Sequence, residues 1–175
     1  MPLNSHLPTD LLAAHTLAYA PLGLALGPVQ PEPESAEYGA CRLVLGGVRI
    51  CFRVAKTTPT KVGQFVTLWK RLGRGSIQPL DAADPLDCCV VSTRSGSHFG
   101  QFVFPVAALL NHGVLARDGQ GGKRALRVYP PWDRTTSRQA AATQAWQAAY
   151  FLDLSAGQPP DLGRARTLLG LPLPA

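Results

Sequence analysis

A chain of 175 residues, 46% of them hydrophobic, is long enough for one domain with a substantial core, so it requires neither disulfides nor a structural metal. Seventeen Lys and Arg against eleven Asp and Glu give a formal charge of +6, a field that attracts nucleic acid, acidic protein surfaces or anionic lipid. Cys41, Cys51, Cys88 and Cys89 make no CxxC motif and have no histidine placed to complete a zinc set, which argues against a zinc module and for buried, reduced thiols in a cytoplasmic protein without a cofactor.

Met1 to Asp10 lacks a basic segment followed by an apolar core, so no signal peptide is expected. The apolar run from Thr16 to Val29 is short and interrupted by Pro21 and two glycines, so no membrane crossing is expected either. Thr9 to Tyr19 is predicted as a helix capped by Thr9, with Leu11, Leu12, His15 and Tyr19 on one side. Ala20 to Glu34, rich in Pro and Gly, reads as a connector.

Tyr38 to Leu45 and Val48 to Lys56 are predicted strands joined by the two-residue loop Gly46-Gly47. That loop sets the register, with Leu45 opposite Val48, Leu43 opposite Ile50 and Cys41 opposite Phe52. One face is therefore apolar, and the other carries Arg42, Arg49 and Arg53 with Val44 and Cys51. These arginines suit either a solvated sheet face or a phosphate-contacting one.

Between Tyr38 and Leu80 there are eight basic residues and no acid, while acids stand on both sides, at Glu32, Glu34 and Glu37 and at Asp81, Asp84 and Asp87. Such a window suits a ligand-facing surface, with a merely solvated face as the alternative. At its centre lies Ala55 to Arg71. Thr58 suits an N-cap and Pro59 the first helical position, and Val62, Phe65, Val66 and Trp69 fall at helical spacing, so a helix entry is expected with a strand as the alternative. On the helical reading, Lys56 to Thr60 present hydroxyls, a lysine and free N–H groups to an anion.

Gly73 to Pro85 reads as a loop, Asp87 to Thr93 and His98 to Phe104 as a second hairpin, and Val106 to Asn111 as a short helix stopped by Gly113. Lys123 to Tyr129 is one more strand. Thr136 and Gln139 form a capping-box pattern for a helix to about Leu154, and Leu162 to Leu169 is a short helix in a Pro/Gly-rich tail.

Motifs for chemistry are incomplete. Gly119 to Arg124 has the composition of a phosphate loop, but its spacing would need Gly at Arg117 and Ser or Thr at Arg124. There is no HExxH, nucleophile elbow or kinase signature.

The blocks AKTTPTKVGQFVTLWKR at 55–71, FGQFVFP at 99–105, GKRALRVYPPWD at 122–133 and TQAWQAAYF at 143–151 resemble the MepB family of bacterial proteins, known from a gene beside a multidrug efflux pump and its repressor. The resemblance spans roughly Glu37 to Leu154, which makes 37–154 the family domain, 1–36 an N-terminal helix and connector, and 155–175 a tail. It implies an α/β (α+β) single domain, with a central mixed sheet flanked by helices, like the PD-(D/E)XK endonucleases. It also implies binding of RNA or single-stranded DNA, a degraded nuclease centre and a link to drug or stress responses. A working centre would need acids for a metal and a lysine near the attacking water. Asp87 and Gln101-Phe102-Val103 are the best equivalents, leaving an amide at Gln101 and no lysine. Val54-Ala55-Lys56 keeps the lysine and loses the acid. No catalytic residue or metal ligand is therefore assigned. A residual nuclease would have to use Asp87, Glu37, Lys56 and Gln101, and a protein-interaction or ligand-sensing module is the third reading.

Single strands are held by a basic groove with aromatic platforms. Lys56, Thr58, Thr60, Lys61, Gln64, Lys70 and Arg71 would form one part of such a groove. Lys123, Arg124, Arg127 and Arg134 extend it, and Tyr129 and Trp132 offer platforms, with a packing plug in the Pro-Pro-Trp turn before the helix as the alternative for Trp132, and Trp69 less readily because of its place in the apolar stripe.

Overall fold

The computed structural model describes residues 7–172. Part of the N-terminal stretch read for a signal peptide, and the end of the Pro/Gly-rich tail, lie outside the described residues.

In chain order the elements are α1 (Thr9–Ala14), β1 (Leu26–Pro31), β2 (Cys41–Leu45), β3 (Val48–Val54), β4 (Lys56–Thr57), β5 (Gln64–Thr67), β6 (Trp69–Arg71), β7 (Ile77–Pro79), β8 (Cys88–Ser95), β9 (His98–Pro105), α2 (Val106–Asn111), β10 (Ala125–Val128), α3 (Arg138–Ala148), β11 (Phe151–Asp153) and α4 (Leu162–Leu168). A six-stranded sheet runs β1-β2-β3-β8-β9-β11. It is antiparallel except where β3 and β8 lie parallel, so this is the mixed central sheet of an α/β domain.

Alternation divides the core into two. One face of the sheet buries Cys41, Leu43, Leu45, Val48, Ile50 and Phe52 against Leu11 and Ala14 of α1, Tyr19 of the π-helix His15–Tyr19, and Ala165 of α4. The other face buries Cys51, Cys89, Phe102 and Phe104 beneath a three-stranded sheet, β10-β5-β4, flanked by α2 and α3. The hairpin register expected from Gly46-Gly47 is the observed one, with Cys41 opposite Phe52 and Leu45 opposite Val48, and both glycines hold positive φ. All four thiols are free and buried, and burial pushes those of Cys41 and Cys88 up to about 12. No helix among the described residues is long and apolar enough to cross a membrane.

Several expectations differ from the structure for identifiable reasons. Thr9 is the first residue of α1, with no side-chain cap, and Pro8 precedes it. The supposed connector contains β1, an edge strand in which Pro28 sits in a bulge between Leu26 and Val29 and Pro31 lies beside the inward N–H of Glu32, so neither interrupts the ladder. A Cβ at Gly27 would meet the Val44 carbonyl at 2.8 Å, so that glycine permits the pairing. The loop after Gly73 is partly the β6–β7 hairpin. The expected long helix begins under a Ser137 cap, which accepts from the Ala140 N–H, and ends at Ala148. The next residues form β11, because Phe151 and Leu152 bury on opposite faces of the main sheet.

Ala55 to Arg71 is extended, not helical. Gly63 sits at φ +87°, and Gln64, Val66 and Leu68 alternate inward, a period of two that a helix would not give.

Candidate nucleic-acid interface

One residue after leaving the main sheet, the chain forms β4, and β5 then lies antiparallel between β4 and β10. The inner positions, Gln64, Val66, Leu126 and Val128, are buried. The outer positions therefore stand in rows across the sheet. One row is Lys56, Phe65 and Arg127, in direct register, with about 5 Å between neighbouring strands.

Aromatic rings underlie this row. Tyr38 closes the 3-10 helix Pro33–Tyr38 and meets Phe65 edge-on at 6.2 Å, while the Lys56 ammonium lies 4.9 Å from the Tyr38 ring centroid. Burial, and then the charge of Glu37, push the Tyr38 phenol up, so it stays neutral. The Arg127 guanidinium lies 6.0 Å from the Phe65 centroid. Tyr129, the residue after β10, covers Gly63, where a Cβ would approach the ring to 2.7 Å.

Two other elements hold these groups in place. Gln147 of α3, fully buried, accepts from the Tyr129 N–H at 2.8 Å and donates to the Arg127 carbonyl at 3.0 Å, closing the free edge of β10. Thr58 is not a helix cap. Its hydroxyl accepts from Arg127 Nη1 at 3.0 Å and donates to the Lys61 carbonyl, and the same Nη1 donates to the Val62 and Gly63 carbonyls at 3.3 Å.

The charges separate into two groups. Arg53, 0% exposed, pairs with Glu32 and donates to the Thr67 carbonyl, so it does not extend a phosphate surface. Glu32 also lies 3.7 Å from Arg42, Arg49 pairs with Asp87, Lys70 with Asp84, and Arg71 with Glu34. By contrast, among the described residues Lys56, Lys61, Lys123, Arg124, Arg127 and Arg134 are in no salt bridge. Thr60 and Lys61 are exposed in the β4–β5 loop, and Lys123 and Arg124 stand at the entry to β10, where the Arg124 carbonyl accepts from Leu68.

The structure thus gathers Lys56, Thr58, Thr60, Lys61, Lys123, Arg124, Arg127 and Tyr129 on or beside one small sheet. It sets others apart. Gln64, 2% exposed, points inward and donates to the Arg94 carbonyl. Lys70 and Arg71 belong to the β6–β7 hairpin and hold acids. Trp132 is stacked on His98 at 4.8 Å and edge-on to Phe151 at 5.5 Å, so it plugs the second core. Arg134 is exposed in the loop before α3. Phe65 and Tyr38 were not expected here. The alternation from Gln64 to Leu68 could have exposed Phe65, whereas nothing in the sequence places Tyr38 beside it.

The nuclease positions do not converge. The Arg49 guanidinium binds both Asp87 oxygens, at 3.0 and 3.1 Å, and holds that carboxyl below the usual carboxylate range. The Asp87 N–H donates to the Arg49 carbonyl, and Lys56 lies seven residues further on, on the order of 20 Å along the strand direction. Gln101 is buried on the opposite face, where its amide oxygen accepts from the Tyr19 hydroxyl at 2.6 Å. Glu37 is exposed in the 3-10 helix. Among the described residues no three His, Cys, Asp or Glu side chains come together as a metal set.

A family profile described as MepB-like matches residues 32–153. A solved structure named "Crystal Structure of MepB" is similar to this chain with a TM-score of 0.72 and 28% identity, over 83% of this chain and 96% of that one. No curated protein matches.

Proposed function

Because the chain belongs to the MepB-like family, we propose that it binds single-stranded nucleic acid, RNA or DNA, across the outer face of the β10-β5-β4 sheet and does not hydrolyse it. The carrying observation is the in-register row Lys56–Phe65–Arg127, flanked by Tyr129, where cations without carboxylate partners alternate with aromatic rings. Single strands are gripped in this way, phosphates by the cations and bases by stacking on rings, without a groove shaped for a duplex. A PD-(D/E)XK-like ancestry agrees with the mixed sheet, and loss of hydrolysis agrees with Asp87 clamped by Arg49 and with Gln101 buried on the Tyr19 side of the main sheet, where its amide oxygen is held by the Tyr19 hydroxyl.

Fluorescence anisotropy with a short labelled oligonucleotide tests this reading. Stacking is worth about 1–3 kcal/mol per base, so Phe65→Ala and Tyr129→Ala should each weaken binding roughly 5- to 150-fold. No binding by the wild-type protein at low salt would overturn the proposal. Cleavage of end-labelled RNA or DNA in magnesium would overturn its second half.

A further inference from the structure

A guanidinium binds a phosphodiester best through the edge formed by Nε and Nη2, whose two N–H groups match two non-bridging oxygens. This protein uses that edge elsewhere. Arg49 gives Nε and Nη2 to the two oxygens of Asp87, Arg94 gives Nε to Asp10, Arg53 gives Nε to the Thr67 carbonyl, and Arg71 gives Nε to Glu34. Arg127 does the reverse. Its hydrogen bonds all leave from Nη1, to the Thr58 hydroxyl and the Val62 and Gly63 carbonyls, and among the described residues its Nε and Nη2 have no partner. The side chain is thus fixed at one end and unpartnered along its bidentate edge, with the guanidinium 6.0 Å from the Phe65 ring centroid and Tyr129 two residues further along the chain.

We infer that Arg127 is a pre-set phosphate fork for the bound strand, and that Thr58 is the positioning residue that aims it. The inference rests on the nucleic-acid reading above and adds which phosphate contact is bidentate and what orients it. The ligand is a phosphodiester whose neighbouring bases reach Phe65 and Tyr129. Fixing the guanidinium before binding removes part of the ordering cost that a free arginine would incur.

The test is a double-mutant cycle on binding of a labelled oligo(dT) or oligo(U), read by anisotropy over a salt series. Thr58→Val keeps the shape of the side chain and removes both hydrogen bonds. It should weaken binding roughly three- to tenfold while leaving the slope of log affinity against log salt unchanged, because no phosphate-neutralising charge is lost. Thr58→Ser should bind like wild type. Arg127→Lys should weaken binding with little change in slope, and Arg127→Ala should reduce the slope by roughly 0.7. In the Arg127→Ala background, Thr58→Val should have no further effect. Thermal unfolding of each variant checks that the fold is intact. Unchanged affinity in Thr58→Val, or an equal loss with and without Arg127, overturns the fork while the wider binding proposal stands. Failure of the wild-type protein to bind overturns both.

Discussion

The salt dependence of binding is the measurement on which the charge distribution speaks most directly. Five cations border the small sheet without a salt-bridge partner among the described residues: Lys56, Lys61, Lys123, Arg124 and Arg127. If each neutralises one phosphate of a single strand, log affinity should fall against log salt with a slope of about −3.5, and raising salt from about 50 to 200 mM should cost about 130-fold. Lys61→Ala with Arg124→Ala removes two contacts, which takes the slope to about −2.1 and the same cost to about 18-fold. Lys70→Ala with Arg71→Ala removes the same formal charge, but these residues hold Asp84 and Glu34, so the slope should stay within error of wild type. Anisotropy titrations at four or five salt concentrations suffice. A wild-type slope shallower than about −1, or equal flattening by both double variants, would refute the reasoning, the first by removing the phosphate contacts and the second by reducing them to net charge.

Three further outcomes test the framework that holds the site. Gly63→Ala should lower stability by about 1–3 kcal/mol in urea unfolding, because φ is +87° and the new Cβ would meet Tyr129 at 2.7 Å and the Val128 carbonyl at 2.9 Å. Gly47→Ala, at φ +83° with nothing within 4 Å, should cost distinctly less. Gln147→Leu strands the Tyr129 N–H and the Arg127 carbonyl, so it should cost about 2–4 kcal/mol and speed hydrogen exchange at the Tyr129 amide. Asp133 has one buried carboxylate oxygen without a partner, and burial pushes its carboxyl pKa up. The folded protein therefore disfavours the charged form, and the penalty grows as pH rises from the ordinary carboxylate range through the raised value. Asp133→Asn should raise the melting temperature at neutral pH, with the gain vanishing in acid where the aspartate is neutral in both states. A loss at pH 7 would contradict this.

Legibility in the sequence followed the locality of the forces. The register of the β2–β3 hairpin could be read to the residue because a two-residue loop leaves one register, although the strands stop short at Cys41 and Val54, and α2 could be read because Pro105 and Gly113 bracket it. In Ala55–Arg71 four apolar residues happen to satisfy helical spacing, which favours a helix over the strand alternative that the fold adopts. What the local spacing does not contain is the partner strand β10, whose Arg127 stands opposite Phe65 from 62 residues further along the chain. Trp132 suits a base platform or a packing plug equally well by residue type, and tertiary packing makes it the plug. A helical period exchanges the two faces of a strand, so it expects Gln64 outside and Phe65 inside, whereas Gln64 is buried and Phe65 is half-buried on the outer face, packed against Tyr38.

The acid-free window carries the same lesson in charge. In sequence, eight cations from Arg42 to Arg74 stand apart from the acids on either side. In the fold those flanking acids return. Glu32, Glu34, Asp84 and Asp87 come back against Arg42, Arg53, Arg71, Lys70 and Arg49, so five of the eight cations are spent on the protein's own structure. Lys56 and Lys61 remain on the small sheet, and there they are joined not by their sequence neighbours but by Lys123, Arg124 and Arg127, brought alongside by β10 pairing with β5. The positive surface therefore arises from strand pairing rather than from the basic run. Disrupting the β5–β10 ladder should disperse that surface without altering a single charge.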